Sequence, residues 1–327
     1  MAVAERLLAI QGQDARGFRL AVRARTRGLT AADVERCLGE ERSLLVTWVN
    51  RGTLHLIRSE DYPWLHALTT PPLLTGCMRR LAQEGVEPGA ADRAVDVIER
   101  ALIEEGPLAR EQLRDRLRSA GLRTEGQALI HLVFLASLRG VCVRGPMIGK
   151  QHAYVLVRDW LGEAPPVDRD RALAELARRY LAGHGPAGDR DLAKWAGLPL
   201  RDARAGLEAI AGEVVEREDG LVELARGGSG RGGGAAPPPA ELPPPVLLGA
   251  FDPCLLGWAT REPIVGEHDS AIVSGGIFRP FALVKGRVAG VWRLERGAVK
   301  LEPLERIARA DAEALDADAA DVRRFLK

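Results

Sequence analysis

Apolar side chains recur at helical spacing through most of residues 1–225 and then switch to short runs after a break rich in glycine and proline. Near the start, Phe18, Ala21 and Val22 share one face while arginines occupy the others, which predicts an amphipathic helix. Gly28-Leu29 interrupts it, and Thr30 is a good N-cap for a helix over 31–38. The apolar run over 43–50 predicts a second helix, leading into a strand over 52–57 that is rich in leucine and β-branched residues. Helix, turn, helix, strand is the order of a winged helix.

The order recurs. Helices are predicted over 92–105, 110–120 and 125–138, followed by strands over 141–144 and 153–157. A third set has helices over 170–182, 190–196 and 200–210, then strands over 214–217 and 221–224 joined across Asp219-Gly220. The turn glycines Gly28, Gly106 and Gly185 are spaced by 78 (106 − 28) and 79 (185 − 106), a period that implies three tandem winged-helix units. Past a Gly/Pro-rich linker, short runs at 246–248, 272–273, 281–284, 288–292 and 298–301 predict an antiparallel β-domain of barrel type, with hairpin tips at Lys285-Gly286 and Arg296-Gly297. An acidic helix over 310–325 closes the chain. The expectation is an α+β fold, mostly α. Its boundaries are 1–72 (first winged helix), 73–160 (second), 161–226 (third), 227–245 (linker) and 246–327 (β-domain with terminal helix).

Charge adds one thing. The 46 basic and 45 acidic residues nearly cancel, yet three windows hold only bases: 15–32 with Arg16, Arg19, Arg23, Arg25 and Arg27; 126–158 with Arg139, Arg144, Lys150 and Arg158; and 270–294 with Arg279, Lys285, Arg287 and Arg293. Such segregation predicts a positive face, the footprint of a nucleic-acid partner. Cys37, Cys77, Cys142 and Cys254 are scattered singly and the six histidines form no metal-binding spacing, so four reduced thiols and no metal or cofactor are expected. Without a secretory signal or an apolar span of membrane length, the expected location is the cytoplasm, associated with the nucleoid.

The candidate chemistry lies at Gln11-Gly12-Gln13, just ahead of the arginine helix. Alone, two glutamines are ordinary surface residues. They gain meaning together with Thr47-Trp48, Arg51-Gly52-Thr53-Leu54-His55-Leu56, Phe251-Asp252-Pro253 with Leu255-Leu256-Gly257-Trp258, and Gly290-Val291-Trp292-Arg293. On these segments the chain resembles the AlkZ/YcaQ-type winged-helix DNA glycosylases over nearly all its length. The resemblance implies three winged helices and a β-barrel arranged as a C-shaped basic channel, with Gln11 and Gln13 as the catalytic pair of the Gln-X-Gln branch. Two departures are visible: Gly12 stands where the family usually has alanine or a larger apolar residue, and the helix ahead of the motif looks shortened or absent.

Cleaving an N-glycosidic bond builds positive charge on the sugar, and an ordinary glycosidase protonates its leaving group. A purine alkylated at N7 is already cationic and leaves unaided, so the remaining task is to orient water, which amides can do. The expected function is therefore a monofunctional glycosylase for N7-alkylpurines in double-stranded DNA, bulky genotoxin adducts or interstrand crosslinks included, acting as a monomer in base-excision repair or self-resistance. The alternative is a non-catalytic winged-helix regulator or lesion sequestrator. Arg16, Arg19, Arg51, His55, Arg144, Lys150, Arg279, Lys285 and Arg287 are the expected DNA contacts. Asp14, the nearest carboxylate, reads as a cap or an arginine partner, and the tryptophans read as core.

Overall fold

A computed structural model describes residues 1–149, 151–225 and 242–327. Lys150 and most of the expected linker over 227–245 lie outside the described residues. The chain begins with helix α1 (Ala2–Leu7), strand β1 (Ile10–Gln11), helices α2 (Ala15–Arg23) and α3 (Ala31–Gly39), and the hairpin β2 (Leu44–Val49) and β3 (Thr53–Arg58). Helices α4 (Tyr62–Thr69) and α5 (Leu74–Gln83) follow. The next set is α6 (Pro88–Glu105), α7 (Arg110–Ser119), α8 (Ala128–Leu138), β4 (Cys142–Ile148), β5 (Gln151–Leu156) and the short α9 (Val157–Leu161). A third comprises α10 (Arg169–His184), α11 (Asp189–Ala196), α12 (Leu200–Ala209) and the hairpin β6 (Val214–Glu216) and β7 (Val222–Leu224). About half of the chain is helical, and all strand pairing is antiparallel among the described residues.

Two expectations fail here for linked reasons. Residues 43–50 form β2, not a helix. Every residue of β2 is buried because it runs mid-sheet in the order β1-β3-β2-β4-β5, and a strand covered on both faces loses the alternation that marks it in sequence. The glycine period is also out of phase. Gly106 and Gly185 follow the first helix of their sets, whereas Gly28 lies between α2 and α3; the equivalent point in the first set follows α1. Realigned, each set runs helix, single bridge or short strand, two helices, hairpin. The bridging residues Ile10–Gln11, Leu108 and Ala187 each pair with the second strand of their own hairpin.

The C-terminal part holds β8 (Val246–Leu248), three single-turn helices α13 (Pro253–Leu256), α14 (Glu262–Val265) and α15 (Asp269–Ile272), then β9 (Val273–Ser274), β10 (Ile277–Phe278), β11 (Phe281–Val284), β12 (Arg287–Glu295), β13 (Ala298–Pro303) and helix α16 (Arg309–Phe325). The expected barrel is not formed. The sheet is open, in the order β13-β12-β11-β8, with β9 and β10 a separate pair. Side chains take the place of the closing strand at β8. Asp318 on α16 accepts the Leu247 N–H at 2.7 Å, Arg23 Nη2 donates to the Leu247 carbonyl at 2.7 Å, and the same arginine is ion-paired to Asp318. An edge whose donors and acceptors are satisfied recruits no further strand. The hairpin tips do form where glycine and a cation were read: Lys285-Gly286 and Arg296-Gly297 all have positive φ.

Two hydrophobic cores knit the sets together. One joins α2, β3 and α6–α8 to the C-terminal sheet and α16; the other packs the opposite face of the β2–β3 hairpin against α10–α12. No helix of the described residues is long and apolar enough to cross a membrane.

Candidate active site

Gln11 ends β1, directly opposite His55 on β3, and the β2 residue opposite His55 is Thr47. Cross-strand partners share a face, so Gln11, His55 and Thr47 form one polar row, and all three are buried. Two residues on, the chain has left the strand and Gln13 is exposed. Gly12 between them hydrogen-bonds the Leu54 carbonyl at 2.6 Å, which fixes the segment on β3. Its φ is not positive, and a Cβ there would meet nothing nearer than 3.4 Å. An alanine would fit there without strain.

Asp14 is the N-cap of α2 and accepts the Gly17 N–H. Gly17 itself is required, since a Cβ would collide with the Ala250 carbonyl where the first turn of α2 meets the C-terminal part. That contact lodges the segment after Gln13 against residues 249–250.

The amides are ordered by Arg51, on the turn between β2 and β3. Its Nη2 donates to Gln11 Oε1 at 3.2 Å, and Gln11 Nε2 donates to Gln13 Oε1 at 2.7 Å. A guanidinium has only donors, so the Gln11 atom facing it must be oxygen; the amide then turns its nitrogen to Gln13, which must answer with oxygen. One charge-assisted bond thus sets both side chains. Arg51 Nη1 also donates to the Trp195 carbonyl at the C-terminal end of α11, where helix carbonyls lack internal partners and carry partial negative charge. The end of α11 comes this close because Gly197 has φ 71° and no side chain; a Cβ would lie 2.6 Å from Arg51 N. Among the described residues no carboxylate pairs with Arg51, and burial lowers its pKa.

His55 is a neutral neighbour. Burial, followed by the charge of Arg51, lowers its pKa to about 3, and it is 1% exposed. Its ring Nδ1 lies 2.9 Å from the Thr53 carbonyl.

The other expected contacts scatter. Arg16, on the first turn of α2, is exposed beside Gln13. Arg19 is turned inward, nine-tenths buried and paired with Glu35. Arg144 pairs in register with Val46, the neighbour of Thr47, so it projects from the opposite sheet face to Gln11 and lies over the Trp48 ring at 5.7 Å. Arg279 is exposed at one end of β11, with Glu302 at 3.5 Å, while Lys285 and Arg287 are exposed at the other end. Lys150 is outside the described residues. Sequence reading missed Lys194 and Arg261, which line a small cavity with Arg51, Leu255, Leu256, Trp258 and Ala259. The available signal was composition: Lys194 is one of five lysines in an arginine-rich chain.

Behind this surface the C-terminal part is pinned by a buried pair. Arg25 donates to both oxygens of Asp252, at 2.9 and 2.7 Å, and Asp252 also caps α13 through the Cys254 N–H. Burial works against ionisation of Asp252, but the charge and hydrogen bonds of Arg25 outweigh it and hold the carboxyl below its ordinary value. Trp258 is fixed by its indole N–H to the Pro186 carbonyl at 3.2 Å, beside the stacked Tyr180 and His184 rings.

Comparison with known proteins follows this geometry. A sequence model of the family described as "DNA glycosylase AlkZ-like" matches residues 4–325. A protein of Streptomyces sahachiroi named "Interstrand DNA cross-link repair glycosylase" is 28% identical over 310 residues, covering 86% of this chain and 79% of that protein. The solved structure "Streptomyces sahachiroi DNA glycosylase AlkZ" superposes with a TM-score of 0.78 at 26% identity, covering 99% of this chain and 90% of the other.

Proposed function

The chain belongs to the DNA glycosylase AlkZ-like family, and from that premise we propose that it hydrolyses the N-glycosidic bond of cationic N7-alkylated purines in double-stranded DNA, with Gln11 and Gln13 positioning the water. The enzyme class, DNA glycosylase, comes with the family; the substrate and the residues are our reading.

The observation that carries it is the donor chain Arg51 to Gln11 to Gln13, which ends on the amide oxygen of an exposed residue. That oxygen accepts one hydrogen bond from Gln11 and keeps a second lone pair for a water. A water held there is oriented toward a sugar carbon without a general base. Orientation supplies several kcal/mol of barrier reduction, and general-base catalysis worth roughly 10²–10⁴-fold is dispensed with. Equally telling, among the described residues no side chain beside the pair is placed to donate a proton. His55 is neutral and buried, and Asp14 is held as a helix cap. A site with no proton for the leaving group selects bases that already carry positive charge.

The three element sets are read as winged helices, and Arg16, Arg51, Arg279, Lys285 and Arg287 as the cations that meet DNA, in a single chain. Arg19 and Arg144 serve packing. Bulky and cross-linked lesions fit this reading because Gln13 is exposed and the cavity beside Arg51, about 60 Å³, is too small to swallow a base. Cleavage then proceeds without full extrusion into a pocket. The name of the Streptomyces sahachiroi relative points the same way.

The test is a panel of duplexes carrying N7-alkylguanine, a bulky N7 adduct, an N7–N7 crosslink, and a neutral lesion such as uracil, each followed by alkali to cut abasic sites. Strand breaks are expected for the cationic lesions only, and loss of them in Gln11→Ala and Gln13→Ala. Release of the neutral base at a comparable rate would overturn the substrate reading. Intact DNA binding with no base release from any lesion would favour the non-catalytic alternative.

A further inference from the structure

Of the cations lining the small cavity beside Gln11, Arg51 and Lys194 make no ion pair among the described residues, and both rest on carbonyls. Arg51 donates to the Trp195 carbonyl as well as to Gln11, and Lys194 Nζ donates to the Ala259 carbonyl at 2.5 Å. The acid closest in sequence to Lys194 is Asp191, one turn earlier on α11. It uses its two oxygens on the backbone N–H groups of Ala259 and Gly188, each at 2.8 Å, and makes no ion pair with Lys194. Arg261, across the same cavity, is paired with Asp269 at 2.6 Å and lies over the Phe278 ring at 5.3 Å. Among the described residues, the partly buried Arg51 and the exposed Lys194 thus face one small cavity without a carboxylate partner, and its walls are Leu255, Leu256 and the fixed indole of Trp258.

Holding cations on neutral acceptors is unfavourable by itself. Burial lowers the pKa of Arg51, the mark of a charge partly stripped of water with nothing to match it. An anion entering the cavity would supply the missing partner. The cavity is too small for a base but is lined as a phosphate group requires, with a fork-shaped donor on one side and a point charge on the other. It shares Lys194, Ala259 and Arg261 with a larger cleft of about 310 Å³, which is also lined by Thr260, Glu262 and Asp269.

We propose that Arg51 and Lys194 together form a phosphate seat that grips one backbone phosphate of the strand being cleaved. This rests on the glycosylase reading above. The seat is composite: Arg51 comes from the first hairpin, Lys194 from α11, and the wall from residues 255–261. A phosphate on it neutralises Arg51 without removing the Arg51 bond to Gln11, because the guanidinium has donors to spare. Substrate binding therefore leaves the donor chain that orders the glutamines in place, and it lowers the net charge of the seat from two positive to one near the developing cation on the sugar.

The experiment measures binding of a duplex containing a stable abasic analogue against salt concentration, and base release from N7-methylguanine DNA in the same preparations. Lys194→Gln is expected to reduce the slope of log affinity against log salt by about one, and Lys194→Arg to restore it. Lys300→Gln, on β13, serves as the control for loss of an exposed charge. A set of duplexes with single neutral methylphosphonates then locates the phosphate: one position should weaken wild type but leave Lys194→Gln no weaker than it already is. An unchanged slope in Lys194→Gln, or losses that simply add at every position, would overturn the seat. The two readings fail separately. No base release from wild type, with the Lys194 slope effect intact, sinks the proposed reaction and leaves the seat; normal base release with no slope effect does the reverse.

Discussion

Two groups of arginines a short way apart in the chain do opposite work. Arg23 and Arg25, at the end of α2, face carboxylates: Asp318 in one case and the fully buried Asp252 in the other. Arg51 faces an amide and a carbonyl. The first two are matched charges that fasten the C-terminal part to the first helices. The third is an unmatched charge, retained at some cost to stability, and it sits where the glutamines are. The lesson is that an arginine in the structure is classified by its partner, not by its burial, since Arg23 is more buried than Arg51.

That contrast is breakable by substitution. The largest effect is expected from Arg25→Ala, which strands the buried Asp252 carboxylate; a loss of about 3–5 kcal/mol in urea unfolding is expected. A loss below 1 kcal/mol would mean the pair is not a staple. Next comes Arg51→Met, predicted to leave the unfolding midpoint unchanged or raised while single-turnover base release falls on the order of 10²–10³-fold, the usual consequence of removing one aimed donor. If Arg51→Met were as destabilising as Arg25→Ala, the two arginines would be the same kind of residue.

Acidity separates the regions further. His55 and His184 have folded pKa values lowered by burial from 6.5 to about 3 and about 4. Their neutral forms contribute stability that is present above pH 6.5 and is lost as pH falls toward those values. Asp252, also lowered, contributes stability that is present above its ordinary range and lost only as pH falls below it. Unfolding followed from pH 7 to pH 4 should therefore show a progressive loss that is weaker in a His184→Gln variant. The rate of base release, in contrast, should be flat from pH 6 to 9, because glutamine does not titrate and His55 stays neutral throughout. A sigmoidal limb near 6.5 would put a histidine in the chemistry. Smallest of all is Gly12→Ala, expected to shift stability by no more than about 0.5 kcal/mol and base release by less than threefold, since a Cβ there meets only ordinary contacts.

Much of the fold was legible along the chain. The amphipathic helices α2, α3, α6, α7 and α10–α12 leave periodic faces, and hairpin tips such as Lys285-Gly286 announce themselves by residue type. Residues 43–50 did not, because β2 is buried on both sides and its apolar run carries no period. The glycine spacing misled for a geometric reason: Gly106 caps the end of the first helix of its set, whereas Gly28 lies in the link between the second and third helices of its own. The barrel failed on an interaction between residues 71 positions apart, the Asp318 carboxylate closing the edge at Leu247.

At the site, the sequence by itself determined which residues carry polar chemistry: Gln11, Gln13 and Arg51 stand out by type and by the company of a recognisable motif. It narrowed Asp14 to a cap or an arginine partner, and the structure shows the cap, which needs only the neighbouring turn. Tertiary structure alone decided the rest. It turned Arg19 inward to Glu35, sent Arg144 to the far face of the sheet, made His55 a neutral buried ring, and brought Lys194 beside Arg51 from 143 positions away (194 − 51). The division follows from range. Helix periods, caps and turns are written within a few residues, whereas whether a charge is matched depends on which distant side chain, or which carbonyl, the folded chain places against it.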